Sequence, residues 1–252
     1  MWADRLLISL APNAVALVRL RRGKALSKQN FPGERPLETL RAAISSFGKE
    51  RLRATVVLSN SYVRYTVVPF DAAVSGPEEE LAMARFHFTR LHGERAKGWD
   101  LRLSEGPLGA APLASAIDAD LVGAIRGCFP AASNVKLVSL QPYLMAAYNR
   151  WRNVLAKEDT WLALPENDGA CLAYATRAGW HCARAFRFEH GRLAENLERE
   201  QLRTAAAPRT VSVAGVLADA PAGWKLSRLS LPPLAGYSPL DDGAYGMALC
   251  AR

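Results

Sequence analysis

One pattern occurs twice in this chain, and it restricts the possible folds more than any single motif does. Two apolar runs, Leu6-Leu7-Ile8-Ser9-Leu10 and Ala14-Val15-Ala16-Leu17-Val18-Arg19-Leu20, are split by Ala11-Pro12-Asn13 and read as a hairpin. A turn at Gly23-Lys24 leads into a third run over 25–31, which completes a three-strand meander. A helix follows, since Pro36 suits a first helical turn and Leu37, Leu40, Ile44 and Phe47 recur at three- and four-residue intervals until Gly48. A β-rich run over 54–60 closes the unit. The same order returns with strands at 160–164, 170–175 and 180–188, the turn Pro165-Glu166-Asn167-Asp168-Gly169, a helix over 193–202 and a strand over 210–214. A repeat of meander, helix and strand at this length predicts two related lobes, each burying one face of a sheet under helices.

A different block separates the two copies. It opens with a strand over 62–69 and a helix from Pro77, whose Glu78-Glu79-Glu80 places negative charge at the positive end of the helix dipole. That helix runs through Leu81, Ala84, Phe88 and Leu91 to Gly93. Short strands follow around Leu101-Arg102-Leu103 and at Leu113-Ala114-Ser115-Ala116-Ile117, and Asp118 caps a helix containing Leu121, Val122, Ile125 and Phe129. A strand over 135–140 and a helix opened by Pro142 lead into the second copy. The expected division is residues 1–61 with 130–158 as a first lobe, 62–129 as an inserted α/β subdomain, and 159–252 as a second, reduced lobe.

Composition removes several classes of function. Half of the 252 residues are hydrophobic and 22% are charged, which is the balance of a folded globular protein. No apolar stretch approaches the roughly 20 residues of a bilayer span, and the first apolar run is too short for a signal segment, so a cytoplasmic location is expected. Cys128, Cys171, Cys182 and Cys250 are widely spaced and read as reduced thiols. His181 and Cys182 are neighbours on a strand and point to opposite faces, so they do not form a metal site with Cys171, and no metal is expected. Ser59-Asn60-Ser61 has hydroxyls but no base to activate one, and reads as a turn. His87 and His92 stand five apart rather than the four of a zinc-protease helix. Asp241-Asp242 before Gly243 suits a helix start. The aromatic set Phe86, Phe88, Trp99 and Tyr143 has helical spacing and neighbouring leucines, which favours burial over a base-stacking platform.

The net charge is +8, with cations at Arg19, Arg21, Arg22, Lys24 and Lys28 and again at Arg41, Lys49, Arg51 and Arg53. Such a surface suits anionic partners. No nucleic-acid motif accompanies it, so a basic nucleic-acid-associated protein stands as a further alternative rather than the main reading.

Four stretches carry a family resemblance: Leu7-Ile8-Ser9-Leu10-Ala11-Pro12-Asn13-Ala14-Val15; Val67-Val68-Pro69 before the acidic helix start; Leu113-Ala114-Ser115-Ala116-Ile117-Asp118; and Ala244-Tyr245-Gly246-Met247-Ala248-Leu249. Together they resemble the actin-like proteins of bacterial pilus and secretion platforms, meaning the PilM family, the cytoplasmic part of GspL and the MshI-type biogenesis proteins. The resemblance covers nearly the whole chain and implies an actin-like (ASKHA) two-lobed α/β fold with the inserted subdomain. In nucleotide-binding members of this group the first hairpin carries an Asp before a Gly-rich turn, because a carboxylate organises Mg²⁺ while backbone amides hold phosphate. Here Ser9 stands at the acidic position, Ala11 and Pro12 replace the glycine turn, and the expected lysine falls at Ala16. Proline removes an amide donor. In the second lobe Ala163 and Pro165 stand where an Asp and a Gly are expected, and Val213-Ala214-Gly215-Val216, the place for a nucleoside loop, keeps a single glycine and reads first as a strand-ending turn, with a surviving nucleoside loop as the alternative.

The resemblance thus implies a pseudo-ATPase scaffold with no catalytic residues and no cofactor. It implies an adaptor on the cytoplasmic face of the inner membrane in a type IV pilus, MSHA-like or type II secretion assembly. The implied partners are the cytoplasmic tail of an inner-membrane assembly protein and a motor ATPase, with membrane association through the partner. A nucleotide-dependent actin-like ATPase of the same fold is the alternative.

Overall fold

The structure is a computed structural model and describes residues 4–69, 71, 76–105, 110–167, 169–176, 179–187, 193–204, 208–215, 221–238 and 243–252. In chain order its elements are β1 (Asp4–Ala11), β2 (Ala14–Arg21), β3 (Lys24–Pro32), α1 (Pro36–Ser46), β4 (Leu52–Leu58), β5 (Val63–Val67), α2 (Pro77–His92), β6 (Trp99–Leu103), β7 (Leu113–Asp118), α3 (Ala119–Gly127), β8 (Val135–Pro142) and α4 (Tyr143–Leu155). The second half adds β9 (Thr160–Glu166), β10 (Gly169–Thr176), β11 (Gly179–Arg187), α5 (Leu193–Thr204), β12 (Thr210–Ala214), β13 (Lys225–Leu229) and the short α6 (Gly246–Leu249). No described helix is long and apolar enough to cross a membrane.

The chain forms two compact units, one from Met1–Tyr62, Asp120–Arg150 and Ser230–Arg252, the other from Val63–Ala119 and Trp151–Leu229. In the first, a five-stranded sheet has the order β3-β2-β1-β4-β8. Leu6, Leu7, Ile8 and Leu10 are all fully buried, as a central strand covered on both faces requires. The β2–β3 turn is Arg22-Gly23 with φ of 51° and 79°, the positive pair that lets a two-residue hairpin follow the twist of its strands. Pro36 starts α1, which buries Leu40, Ala43 and Ile44. On β8 the register passes from Leu137 opposite Ala54 to Ser139 opposite Thr55, so Val138 is a bulge residue left 47% exposed. Leu234, Ala248 and Leu249 pack on Leu7, Val18 and Leu20 in a core cluster of this unit.

The second unit contains a five-stranded sheet of order β11-β10-β9-β12-β13 and a three-stranded sheet of order β5-β7-β6. Its larger core gathers Trp161, Ala163, Leu172, Tyr174, Leu197, Val211 and Val213, and a smaller one gathers Phe88, Ala84, Leu101, Ala114 and Ala116. In each five-stranded sheet the first three strands pair antiparallel, the fourth runs parallel to the first, and the fifth runs parallel to the fourth. The repeat read from the meanders therefore extends one strand further, through β13, which the sequence reading did not anticipate. Lys225 and Arg228 give that strand a polar cast, and it lies at a sheet edge.

One expected strand boundary moves. The strand expected from 62 starts at Val63, because Asn60–Tyr62 turns as a short 3-10 helix. By packing, α3 and residues 230–252 group with the first unit, whereas 63–119 groups with the second. The Cys128 Sγ–H reaches the Leu37 carbonyl of α1 at 3.7 Å, which ties the end of α3 there, and a parallel bridge from Ala111 to Gly179 ties the small sheet's flank to β11.

Candidate functional site

The resemblance directs attention to two hairpins, one in each unit. In the first, Ser9 of β1 lies between Ala16 of β2 and Val57 of β4 and is 3% exposed, as is Ala16. Ala11 pairs with Ala14 and closes the hairpin around Pro12-Asn13. Neither turn residue has a positive φ, and Pro12 has no N–H to offer. An anion nest needs consecutive amides turned inward by alternating right- and left-handed backbone, so this turn lacks both the donor and the geometry. The Asn13 carbonyl accepts from the Gly33 N–H at 2.8 Å, which anchors the turn to the end of β3.

In the second hairpin, Ala163 is fully buried between Leu172 of β10 and Val213 of β12, in the core around Trp161. Pro165 pairs with Ala170 and lies 3.9 Å from where a Cβ on Gly215 would be. Gly215 has φ +118°, so β12 ends in a backbone conformation that favours glycine; Val216 lies outside the described residues. Gly169 is required for another reason. A Cβ there would overlap the Phe186 carbonyl oxygen and come within 2.9 Å of its carbon, so β11 itself demands a residue without a side chain. The glycine of this hairpin answers to strand packing rather than to phosphate. The residues present at Ser9, Ala11, Pro12, Ala16, Ala163 and Pro165 supply no carboxylate for Mg²⁺ and do not fit a nucleotide–metal group.

Other residues singled out by the sequence have structural partners. Asn60 is 1% exposed, and its Oδ1 accepts the Leu144 N–H at 3.1 Å, capping the first turn of α4 from 84 positions away. Ser59 Oγ accepts the Ser61 N–H at 3.1 Å, the turn expected there. Replacing Asn60 with alanine removes a buried cap and is expected to lower unfolding free energy by about 1–2 kcal/mol, read by urea denaturation. His87 packs edge-on to Phe86, His92 lies against Phe88 and Trp99, and His181 stacks on Tyr174 while sharing a 3.2 Å hydrogen bond with Thr176 Oγ1. Among the described residues no group of three or more His, Cys, Asp or Glu is placed to hold a metal ion. Asp241 and Asp242 lie outside the described residues.

Burial pushes all four thiols up. Cys171 stands well above the ordinary range, Cys182 is at about 11 and Cys250 at about 12, and Cys128 is raised as well. At neutral pH all four are protonated, and a protonated thiol is a poor nucleophile. Of the aromatic set, Phe88 and Tyr143 are buried and Trp99 is partly so, but Phe86 is 59% exposed. Phe86 is two residues from Phe88 and so roughly 200° round the helix, on the face turned from the sheet. The basic stretch is partly offset within the fold, since Arg19 binds Asp4 at 2.7 Å and also Glu50, and Arg21 lies 3.6 Å from Asp4.

The sequence matches no protein-family model and no curated protein. Solved structures do resemble it. The cytoplasmic domain of EpsL, an inner membrane component of the type II secretion system of Vibrio cholerae, superposes with a TM-score of 0.64 at 12% identity, over 98% of this chain and 93% of that one. A PilM–PilN type IV pilus biogenesis complex gives a TM-score of 0.66 at 14% identity, over 98% and 96%. A Bacteroides thetaiotaomicron protein with an actin-like ATPase fold gives 0.60 at 11% identity, over 86% and 83%. The duplicated five-stranded sheets and these superpositions agree: the chain has the actin-like α/β fold.

Proposed function

We propose that this chain is a non-catalytic adaptor of an inner-membrane assembly platform, of the type IV pilus, MSHA-like or type II secretion kind, acting at the cytoplasmic face of that membrane. The observation that carries the reading is the first hairpin. A nucleotide-dependent actin-like enzyme needs a carboxylate and free amides there, and this chain has the buried Ser9 and a proline turn. The second hairpin supports it, with Ala163 in the core and Pro165 on the strand. The likeness to the cytoplasmic part of an inner membrane secretion component, and to PilM in a complex with PilN, favours the cytoplasmic tail of an inner-membrane protein as one partner. A motor ATPase is the second proposed partner, and membrane association follows from the first. Within this reading, the 62–129 block is the inserted subdomain that meets a partner.

Calorimetry with ATP and Mg²⁺ tests it. No saturable heat is expected at nucleotide concentrations up to about 1 mM, a binding free energy weaker than about −4 kcal/mol. Micromolar affinity with Mg²⁺-dependent turnover would promote the ATPase of the same fold over the adaptor.

A further inference from the structure

The whole net charge of the chain belongs to its first unit. That unit holds fifteen Lys and Arg against seven Asp and Glu, whereas the second is balanced at seventeen of each. Topology then gathers much of the excess at one end of one sheet. β1, β4 and β8 run parallel, so their first residues share that end, and the β2–β3 turn lies there too because β2 runs back against β1. Arg5, Arg53 and Lys136 are direct neighbours in register on these three adjacent strands. Arg22 and Lys24 in the turn, and Lys49 and Arg51 ahead of β4, extend the row into a rim across the sheet of about 20 Å, and all of these side chains are exposed.

Like charges side by side on neighbouring strands repel, and little within the chain offsets them. The carboxylates carried by the same strand ends, Asp4 and Glu50, are both taken by Arg19, and Asp4 also by Arg21. Arg22, Lys24, Lys49, Arg51 and Arg53 pair with no carboxylate among the described residues. Arg5 and Lys136 each donate to a backbone carbonyl, of Ala251 and Ala131, which orients the side chain and leaves its charge unbalanced.

Charge without shape decides the kind of partner. Single-stranded nucleic acid is held by aromatic stacking, and the one exposed ring of Phe, Tyr or Trp among the described residues, Phe86, belongs to the other unit. A protein partner draws its affinity from a buried anchor, but the exposed large apolar side chains of this sheet, Leu26 and Val138, stand on its two outermost strands and form no common patch. A layer of anionic headgroups asks only for cations spread over an area.

We propose that this rim lies against anionic phospholipid headgroups. The choice of a membrane among polyanions rests on the adaptor reading, which puts the chain beside one; the placement of the charge does not. The contact is weak alone, because it is screened over about 8 Å at physiological salt, and it fixes which end of the first unit faces the bilayer once a membrane partner holds the chain there.

The test floats the full chain with vesicles at low salt. Binding is expected to vesicles that are one-third phosphatidylglycerol and not to pure phosphatidylcholine, and it should be lost at about 0.5 M salt. The Lys49→Glu/Arg51→Glu/Arg53→Glu variant should bind anionic vesicles at least about tenfold more weakly. Arg85→Glu/Lys157→Glu/Arg199→Glu makes the same change of net charge at exposed sites of the second unit and should stay within about twofold of the parent. In the unmodified chain, anionic vesicles should slow hydrogen exchange at 49–53 and 134–136, a readout that needs no variant. Equal losses in the two variants would reduce the contact to net charge and overturn the rim. Salt-resistant binding, equal binding to neutral vesicles, unchanged exchange, tighter binding to a single-stranded oligonucleotide than to vesicles of equal total charge, or no flotation at all would overturn it as well. None of these outcomes touches the calorimetry with ATP, by which the adaptor reading stands or falls.

Discussion

Replacing Ala163 with aspartate is expected to destabilise the second unit by at least about 3 kcal/mol rather than to restore a metal-binding carboxylate. The residue is fully buried, with Leu172 and Val213 on the flanking strands and Trp161 in the same cluster. A carboxylate introduced there is buried among apolar side chains. It must either ionise without a partner or stay protonated far above its usual range, and both routes weaken the fold. Chemical denaturation followed by circular dichroism reads the loss, and calorimetry with ATP and Mg²⁺ on the same variant reads any gain. A variant with unchanged stability that acquires Mg²⁺-dependent binding would show the hairpin to be an intact phosphate loop lacking only its acid.

Gly169→Ala is expected to cost about 2–4 kcal/mol, far more than the usual penalty for one added methyl. The three atoms nearest to the new Cβ all belong to backbone: the carbonyl oxygen and carbon of Phe186 and, at 3.1 Å, the Cα of Arg187. A side chain would swing aside, but here β11 has to move. Its pairing with β10, where Gly169 faces Arg187 and Ala170 faces Phe186, is what resists. Gly123→Ala in α3 is the matched control. Nothing lies within 4 Å of its Cβ position, and an alanine in that helix should be neutral or stabilising by up to about 1 kcal/mol. Thermal melts of the two variants beside the parent chain decide the matter, and a Gly169→Ala protein that melts with the parent contradicts the close approach of β11.

Much of the fold is legible locally. Pro36, Pro77 and Pro142 mark three helix starts within a residue, because proline's fixed φ suits the first turn and its missing N–H costs nothing there. The alternation around Ala11-Pro12-Asn13 and again around 165–169 is enough to pair β1 with β2 and β9 with β10. What escapes the sequence depends on distant partners. Asn60 looks like any turn residue until Leu144 arrives to be capped. Gly169 reads as a turn glycine, and only the path of β11 shows why no other residue fits. Phe86 reads as core from its place among helically spaced aromatics and leucines, yet its angle round α2 from Phe88 leaves it exposed. The candidate hairpin positions follow from the resemblance, while the depth at which Ser9 and Ala163 are buried follows from their being flanked on both sides by strands.

The Arg5 guanidinium donates to the Ala251 carbonyl at 2.8 Å, and Leu7 packs in one cluster with Ala248 and Leu249. Those partners are separated by nearly the whole length of the chain. A ribosome therefore releases β1 long before the residues that cover it, and Leu7, Val18 and Leu20 wait without their final neighbours while the intervening chain is made. The second unit is contiguous over 151–229 apart from its earlier 63–119 segment, so its five-stranded sheet can form during translation. The apolar side chains of that cluster therefore stay open to chaperones and to aggregation until residues 234–249 follow the second unit's strands out of the ribosome.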